Sequence, residues 1–180
     1  MTLYSILTHP YDEVAHQYDR LWSSPEAQAE DRQIMERIAY TEGDVLDIGC
    51  GTGLFLDHYP ACNSYLGIDP SQAMLDELQA KHPGKETLCQ TFEASLSRLS
   101  TKRFDLIVSL FGSPSYIYPA ALDCVHDLLR PKGKLVMMFI APDYNPITHQ
   151  YIEEPPQLFA HNFSRYGTVH RFGNYVLTVK

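Results

Sequence analysis

The chain has 180 residues, of which 44% are hydrophobic and 20% are charged, and it carries a formal net charge of -8 with a pI near 5.4. This length and composition predict one globular domain with a sizeable core. An acidic chain without a Lys/Arg cluster argues against nucleic acid or a membrane surface as a partner. No apolar stretch of the sequence approaches the length of a transmembrane helix.

The cysteines are isolated from one another. Cys50, Cys62, Cys89 and Cys124 form no C-x-x-C pair, so neither a disulfide framework nor a zinc site is predicted. The eight histidines show no metal-ligand spacing either. The first residues lack the positive charges and the apolar segment of a signal peptide. We therefore expect a cytoplasmic protein that binds no metal.

Two helices are predicted near the N-terminus, forming a helical cap over residues 1–42. Residues 1–9 show no clear pattern. Residues 10–22 place a proline in the first turn and repeat apolar or aromatic side chains every three to four positions, which indicates a helix. A second helix is predicted over about residues 25–39, because Ser24 is a good N-cap and Pro25 suits the first helical position.

From residue 43 onward, short apolar strands alternate with helices. This alternation predicts a parallel sheet with right-handed crossovers and helices on both faces. The predicted strands and helices of this core, over residues 43–140, are strands 44–48, 64–69, 86–92, 104–112 and 134–140 and helices 53–59, 71–81 and 118–130.

The last forty residues differ in character. Four prolines between residues 141 and 162 predict a lid-like loop without regular structure. Residues 163–172 and 174–180 predict two strands in a hairpin that turns near Gly173 and Asn174. The complete prediction is an α/β domain over residues 1–180, with a three-layer, mostly parallel sheet of about seven strands and a C-terminal antiparallel hairpin.

The stretch VLDIGCGTG (45–53) ends an apolar strand on an acid and follows it with three glycines. Glycine permits positive φ and close approach of a ligand to the backbone, at the strand end where parallel sheets bind ligands. The candidates are a dinucleotide and an adenosyl group. The spacing G-x-G-x-G departs from the dinucleotide fingerprint G-x-G-x-x-G. Asp47 would repel a pyrophosphate but suits an amine or a hydroxyl, which favours the adenosyl group.

VLDIGCGTG resembles motif I of the class I S-adenosylmethionine-dependent methyltransferases. YLGIDPSQAML resembles the second-strand motif of that family, FEASLSRLSTKRFDLIVS its connection between strands three and four, LLRPKGKLVM its turn into strand five, and YDEVAHQYD its N-terminal helix. The resemblance covers roughly residues 11–140 and implies a Rossmann-like fold, S-adenosyl-L-methionine as cofactor and methyl transfer to a small molecule. The chain departs from the family after strand five, where the proline-rich segment replaces a helix.

The resemblance also implies residue roles. Asp47 would accept a hydrogen bond from the methionine ammonium and Asp69 would bind the ribose hydroxyls. Met74 and Phe92 would pack on the adenine, and Glu93 would accept from its amine, although the family usually has Asp there. The predicted cofactor-binding residues are Asp47, Gly49, Cys50, Gly51, Gly53, Asp69, Pro70, Met74, Phe92, Glu93, Ser109 and Leu110.

No catalytic residue is assigned. A sulfonium is already an activated methyl donor, so a base is needed only where the acceptor arrives protonated. The candidates are Tyr18, His16 and Tyr116, with His126 and His149 as further possible bases.

Three alternatives remain open at this stage. They are a regulatory protein that binds the cofactor without transferring a methyl group, a methyltransferase that acts on a macromolecule, and a dinucleotide-dependent oxidoreductase. The segment SPSY (113–116) is not the Asn/Asp-Pro-Pro-Tyr motif of amino-methylating nucleic-acid enzymes, which argues against base amines as acceptors.

Overall fold

A computed structural model describes residues 9–62 and 64–180, so the prediction for residues 1–8 lies outside the described residues. Its strands are β1 (Val45–Ile48), β2 (Tyr65–Asp69), β3 (Glu86–Cys89), β4 (Phe104–Ser109), β5 (Leu129–Ile140), β6 (Thr168–Phe172) and β7 (Tyr175–Val179). They form one sheet in the order β3-β2-β1-β4-β5-β7-β6. Strands β1 to β5 pair in parallel, whereas β7 pairs antiparallel with both β5 and β6.

The strand order reverses between β1 and β4, which lie side by side although two strands separate them in the sequence. Ligands of open parallel sheets bind outside the carboxyl ends of the strands at such a reversal. The predicted fold class is therefore confirmed, including the C-terminal hairpin and its turn at Gly173 and Asn174.

The described helices lie on both faces of the sheet. They are α1 (Tyr18–Leu21), α2 (Pro25–Ile38), α3 (Leu54–His58), α4 (Gln72–Lys81), α5 (Phe92–Leu99), α6 (Pro119–Leu122) and α7 (Val125–Leu128). Helix α2 begins as predicted, because the Ser24 hydroxyl accepts from the Ala27 N–H at 3.2 Å. It ends at Ala39, which adopts a left-handed φ of 47°.

The core contains two large apolar clusters separated by the sheet, and a smaller third cluster that includes Val14 and Ala15 of the N-terminal segment. Alternate residues of the central strands point to opposite faces, so that Val108 of β4 joins the cluster with α2 to α4 and Ile107 joins the cluster with α5 to α7. Both side chains are fully buried. This arrangement is the predicted three-layer architecture.

The predicted helix over residues 10–22 is wrong as a continuous element. The chain forms 3-10 turns at Pro10–Glu13 and Ala15–Gln17 before the short α1. The Asp12 carboxylate accepts from the Ser71 hydroxyl and from the Ala73 N–H, both at the start of α4. This contact to a distant element outweighs the local helical periodicity.

The predicted strand over residues 86–92 is too long, and a helix after it was missed. Strand β3 ends at Cys89 and the chain enters α5 at Phe92. The Thr91 hydroxyl caps this helix by accepting from the Ala94 N–H at 3.2 Å. Phe92 and Leu99 are buried on its inner face, so both the cap and the apolar spacing were visible in the sequence.

The predicted helix over residues 118–130 is two short helices, α6 and α7, and β5 starts at Leu129 instead of residue 134. Leu129 pairs with Phe104, after which the register shifts before Lys134 pairs with Leu106. The strand therefore includes Pro131 in an irregular stretch at the sheet margin, where a residue without an N–H is tolerated.

Two other strand boundaries differ from the prediction. Strand β4 ends at Ser109 because Phe111 and Gly112 adopt positive φ angles of 46° and 94° and turn the chain. The residues before β6 form a 3-10 turn, Phe163–Tyr166, instead of extended structure. Residues 141–162 are mostly irregular, as predicted, with one 3-10 turn at Ile147–Tyr151.

Of the helices in the described ranges, 9–62 and 64–180, none combines the length and apolar character that crossing a bilayer requires.

Truncating Ile107 should test the central position of β4. Because this side chain is fully buried between neighbouring strands, Ile107→Ala is expected to lower the free energy of unfolding by about 2–5 kcal/mol. The matched control is Val169→Ala on the edge strand β6, where 44% of the side chain is exposed and the expected change is within about 0.5 kcal/mol. Urea unfolding of both variants measures the difference, and equal losses would contradict the fold.

Candidate functional site

Two cavities lie at the carboxyl ends of β1, β2 and β4. The cap cavity, of about 280 Å³, has walls from the N-terminal segment, α2 and β7, including Tyr18, Trp22, Asp31, Asp47, Phe111 and Tyr175. The strand cavity, of about 240 Å³, is lined by residues that follow β2 and β3, including Asp69, Pro70, Met74, Phe92 and Glu93. Gly49, Gly51, Tyr18 and Tyr116 line both cavities, which therefore form one continuous cleft.

The first two glycines of the turn form the floor of the cleft. Gly51 has a φ of 50° and no atom lies within 4 Å of the position where a Cβ would stand. A Cβ on Gly49 would instead collide with Ser113, whose hydroxyl donates to the Gly49 carbonyl at 3.2 Å. Gly49 thus permits close packing of the two loops, and Gly51 leaves open space for a ligand.

Gly53, which the resemblance places among the cofactor-binding residues, lies outside both cavity linings. A Cβ there would approach the Leu78 side chain to 3.0 Å. Its φ of 97° starts α3 and lets that helix pack against α4.

Asp47 is a buried carboxylate at the end of β1, with 3% of its surface exposed. One oxygen accepts from the Tyr65 hydroxyl at 2.9 Å. Burial raises the pKa of Asp47 to about 7, and the nearby Asp69 adds to this shift. A positively charged group in the cap cavity, which Asp47 lines, would favour the ionised form.

Asp69 is the corresponding carboxylate at the end of β2. Its two oxygens accept from the backbone N–H groups of Gly51 and Ser71, each at 2.9 Å. Burial nevertheless raises the pKa of Asp69 to about 6. Each oxygen keeps a free lone pair, so the carboxylate can still accept from two hydroxyl groups in the strand cavity.

The strand cavity also has apolar side chains in its wall. Met74 and Phe92 line it and are 2% and 3% exposed. Glu93 also lines this cavity, but one of its oxygens accepts from the Tyr118 N–H at 2.9 Å. Its other oxygen remains free for a ligand amine.

Three further predicted residues have distinct positions. Leu110 lines the cap cavity. Cys50 also lines it, although its sulfur lies against Gly67 of β2, where burial raises the pKa of the thiol. Ser109 lines neither cavity, and its buried hydroxyl donates to the Ile48 carbonyl at 2.8 Å, which holds β4 against β1.

A connected row of polar rings crosses the junction of the two cavities. The Tyr11 and Tyr116 hydroxyls lie 2.9 Å apart, and the Tyr116 hydroxyl lies 2.8 Å from Nε2 of His149. Burial raises the pKa of Tyr116 and lowers that of His149. The Tyr116 hydroxyl therefore lies between a second phenol and a neutral imidazole, and the imidazole tautomer decides which of Tyr116 and His149 donates.

The other candidate bases differ in position. Tyr18 lines both cavities and its pKa is raised by burial. His16 is exposed and lines neither cavity. His126 stacks on Tyr166 at a centroid distance of 6.0 Å and also lies outside the cleft linings. Of the five candidates, the structure brings Tyr18 and Tyr116 to the cleft, with His149 bound to Tyr116.

The acids that α2 contributes to the cap cavity, and the aromatic ring that β7 contributes, were not predicted from the sequence. Ala27, Glu30 and Asp31 line it from α2, and Tyr175 lines it from β7. The signal in the sequence was spacing, because positions 27, 30 and 31 share a helix face with the buried Ile34.

Part of the chain matches a known protein family and a curated relative. A family model described as a methyltransferase domain matches residues 45–133. A curated relative, an uncharacterized protein of Methanocaldococcus jannaschii, is 31% identical over 125 residues, or 68% of this chain. The chain spans about half the length of that relative, 47%.

Solved structures share the fold at low sequence identity. The structure of DhpI in complex with SAH superposes with a TM-score of 0.70 at 14% identity, covering 94% of this chain and 91% of that one. A TehB-like SAM-dependent methyltransferase from Corynebacterium glutamicum gives a TM-score of 0.60 at 19% identity, with 92% and 96% covered. Residues 45–133 therefore resemble a methyltransferase domain, and the chain shares the Rossmann-like fold of these solved structures.

Proposed function

We propose that the protein binds S-adenosylmethionine in this cleft and transfers its methyl group to a small molecule. The observation that carries the proposal is the pair of buried carboxylates, Asp47 and Asp69, on either side of the open space at Gly51. Their raised pKa values mean that both carboxylates are ionised at a cost in the ligand-free protein. An ammonium beside Asp47 and two hydroxyls beside Asp69 would offset that cost.

The cofactor supplies an electrophilic methyl group on a sulfonium, and the chain's own residues bind and orient it. Asp47 accepts from the ammonium and Asp69 from the ribose hydroxyls, while Met74 and Phe92 pack on the adenine. Tyr18 and Tyr116 line both cavities and cover the junction. They keep water from the reacting atoms and narrow the path along which a nucleophile approaches.

The size of the cap cavity supports a small acceptor. Residues of α2, β7 and the segment 141–162, including Pro146 and Thr148, close around it. A macromolecular acceptor would need to insert a side chain or a base into this space. We therefore propose a small-molecule acceptor, and formation of a methylated product would exclude a purely regulatory role.

We also propose a domain organisation and a cellular location for this protein. We propose that residues 1–180 form one domain, with a cap over residues 1–42, a core over 43–140 and a closing region over 141–180. All four cysteines are free thiols in the structure, which supports a reducing compartment such as the cytoplasm.

Calorimetric titration with S-adenosylhomocysteine and, separately, with NAD tests the proposal. We expect saturable binding of S-adenosylhomocysteine at one site per chain, because the carboxylate pair suits an adenosyl amino acid and would repel a pyrophosphate. Binding of NAD without binding of S-adenosylhomocysteine would contradict the proposal and favour an oxidoreductase.

Substitution of Gly51 should block the cofactor while leaving the fold intact. In Gly51→Ala the new methyl group enters the open space at φ 50°, which should reduce S-adenosylhomocysteine affinity by at least about tenfold. The strained φ itself costs about 1 kcal/mol of stability. Gly84→Ala is a matched control, since Gly84 has φ 81°, equally open surroundings and no place in the cleft. Equal affinities of the two variants in calorimetry would remove Gly51 from the site.

The pH dependence of binding should report the ionisation of Asp47. Its pKa of about 7 means that it is mostly protonated at low pH, whereas binding of an ammonium requires the carboxylate. Affinity for S-adenosylhomocysteine should therefore rise between about pH 5.5 and about pH 7, by up to tenfold per unit, with release of a proton. Asp47→Asn should flatten this rise. The same slope in wild type and variant would show that Asp47 does not contact the ammonium.

A further inference from the structure

The cap cavity is lined by acidic side chains and by no basic ones. Among its lining residues, all of which belong to the described part of the chain, there is no Lys, Arg or His. Its five carboxylates are Asp19, Glu30, Asp31, Asp47 and Asp57. An enclosed space with this charge attracts a cation and disfavours an anion.

Three of these carboxylates have partners or an assigned role. Lys81 lies 2.9 Å from Asp19 and 2.8 Å from Asp57, and His82 lies 2.7 Å from Asp57. Asp47 is the carboxylate that the proposed function assigns to the cofactor ammonium. Two negative charges of the wall are left, and both belong to one turn of α2.

These two acids are Glu30 and Asp31. Neither forms an ion pair or a side-chain hydrogen bond with any residue in the ranges 9–62 and 64–180, and both are half-buried. Burial, together with the charge of Glu30, raises the pKa of Asp31 to about 6. Arg32 partly offsets this shift without forming an ion pair. An ionised Asp31 at neutral pH is therefore a poorly solvated charge that a cationic ligand would stabilise.

Aromatic rings line the same cavity. Phe111 and Tyr175 meet edge to face at a centroid distance of 5.6 Å, and Tyr18 lies 6.4 Å from Trp22. The Nε1–H of Trp22 is buried and meets no acceptor at ordinary hydrogen-bond geometry among the described residues, with the Tyr18 side chain as its polar neighbour. Aromatic faces and carboxylates together bind organic ammonium groups well.

We propose that the methyl acceptor is an amine that enters the cap cavity as an ammonium ion. Asp31 and Glu30 hold the charged nitrogen, and the rings of Trp22, Phe111 and Tyr175 surround its carbon skeleton. This inference rests on the proposed methyl transfer and specifies its substrate class.

The transfer balances as an N-methylation. The bound ammonium gives one proton to water and becomes a neutral amine. Its nitrogen lone pair forms a bond to the methyl carbon while the carbon–sulfur bond breaks and its electron pair goes to sulfur. The products are S-adenosylhomocysteine and a methylated ammonium, so the acidic cavity faces a cation before and after the reaction.

Matched ligand series test the charge preference in protein saturated with S-adenosylhomocysteine. One series is tyramine, 4-ethylphenol and 3-(4-hydroxyphenyl)propionate, and the other is cyclohexylmethylamine, cyclohexylmethanol and cyclohexanecarboxylate. We expect the amine to bind at least about tenfold more tightly than its neutral and anionic counterparts in at least one series. Equal or tighter binding of the neutral or anionic members in both series, or no binding of any member, would overturn the inference.

Substitutions in α2 test whether Glu30 and Asp31 cause the preference for amines. Glu30→Gln combined with Asp31→Asn should reduce the amine preference by at least about tenfold, and circular dichroism should show an unchanged fold. Asp31→Asn alone serves if the double variant does not fold. Glu36→Gln on the exposed face of the same helix is the matched control and should keep the preference. A preference that survives loss of both acids would place the cation elsewhere and contradict the inference.

Titration of wild-type protein with S-adenosylhomocysteine alone distinguishes a failure of the proposed function from a failure of the proposed substrate class. If wild-type protein fails to bind S-adenosylhomocysteine, the proposed function itself is wrong. If S-adenosylhomocysteine binds and the ligand series show no preference for amines, only the substrate class is wrong.

Discussion

Burial of two carboxylates at the ends of adjacent parallel strands is the constraint on which the site depends. Asp47 of β1 stands opposite Gly67 of β2, and Asp69 lies two residues further along β2. A Cβ on Gly67 would come within 3.0 Å of the Tyr65 ring, so the glycine gives Tyr65 room to reach across and donate to Asp47. The sheet thus accommodates two unpaired acids that it could not retain without hydrogen bonds.

The covering segment, residues 10–22, is attached to this cleft by polar contacts and by a small apolar cluster that joins Val14 to Met74 of α4, whereas more extensive apolar packing holds the sheet and its helices. Asp12 binds the start of α4, and Asp19 accepts from Thr52 of the glycine turn while pairing with Lys81. Such partly exposed pairs each stabilise by about 1 kcal/mol or less. Because its apolar cluster is also much smaller than those of the core, the cover is held more weakly than the core beneath it, which suits a cleft whose ligands must enter and leave.

Much of the fold and part of the site could be predicted from sequence, because both depend on local signals. Apolar strands alternating with capped helices indicated the parallel sheet, and the glycine spacing with Asp47 indicated a binding site at the carboxyl end of β1. Helix α5 was missed because Phe92 was assigned to the end of the preceding strand, although Thr91 offered a helix cap. The helix over 118–130 was overextended because its last two residues belong to β5, where Leu129 pairs with Phe104 of β4.

The rest of the site depends on contacts between residues far apart in the chain. Tyr11 and Tyr116 are 105 positions apart, and Tyr116 and His149 are separated by 33. The acids of α2 looked like an ordinary solvated helix face, and only the fold turns them toward Phe111 and Tyr175. Periodicity identifies a helix face but carries no information about which distant element that face meets.

A crystal structure of the protein with S-adenosylhomocysteine bound would test these residue roles most directly. We expect the ligand ammonium to lie within hydrogen-bond distance of Asp47, the ribose hydroxyls to bind Asp69 and the adenine to lie between Met74 and Phe92. The ligand sulfur should face the cap cavity. A structure in which the adenosyl group occupies another place, or in which Asp47 and Asp69 make no contact with it, would contradict the central claim.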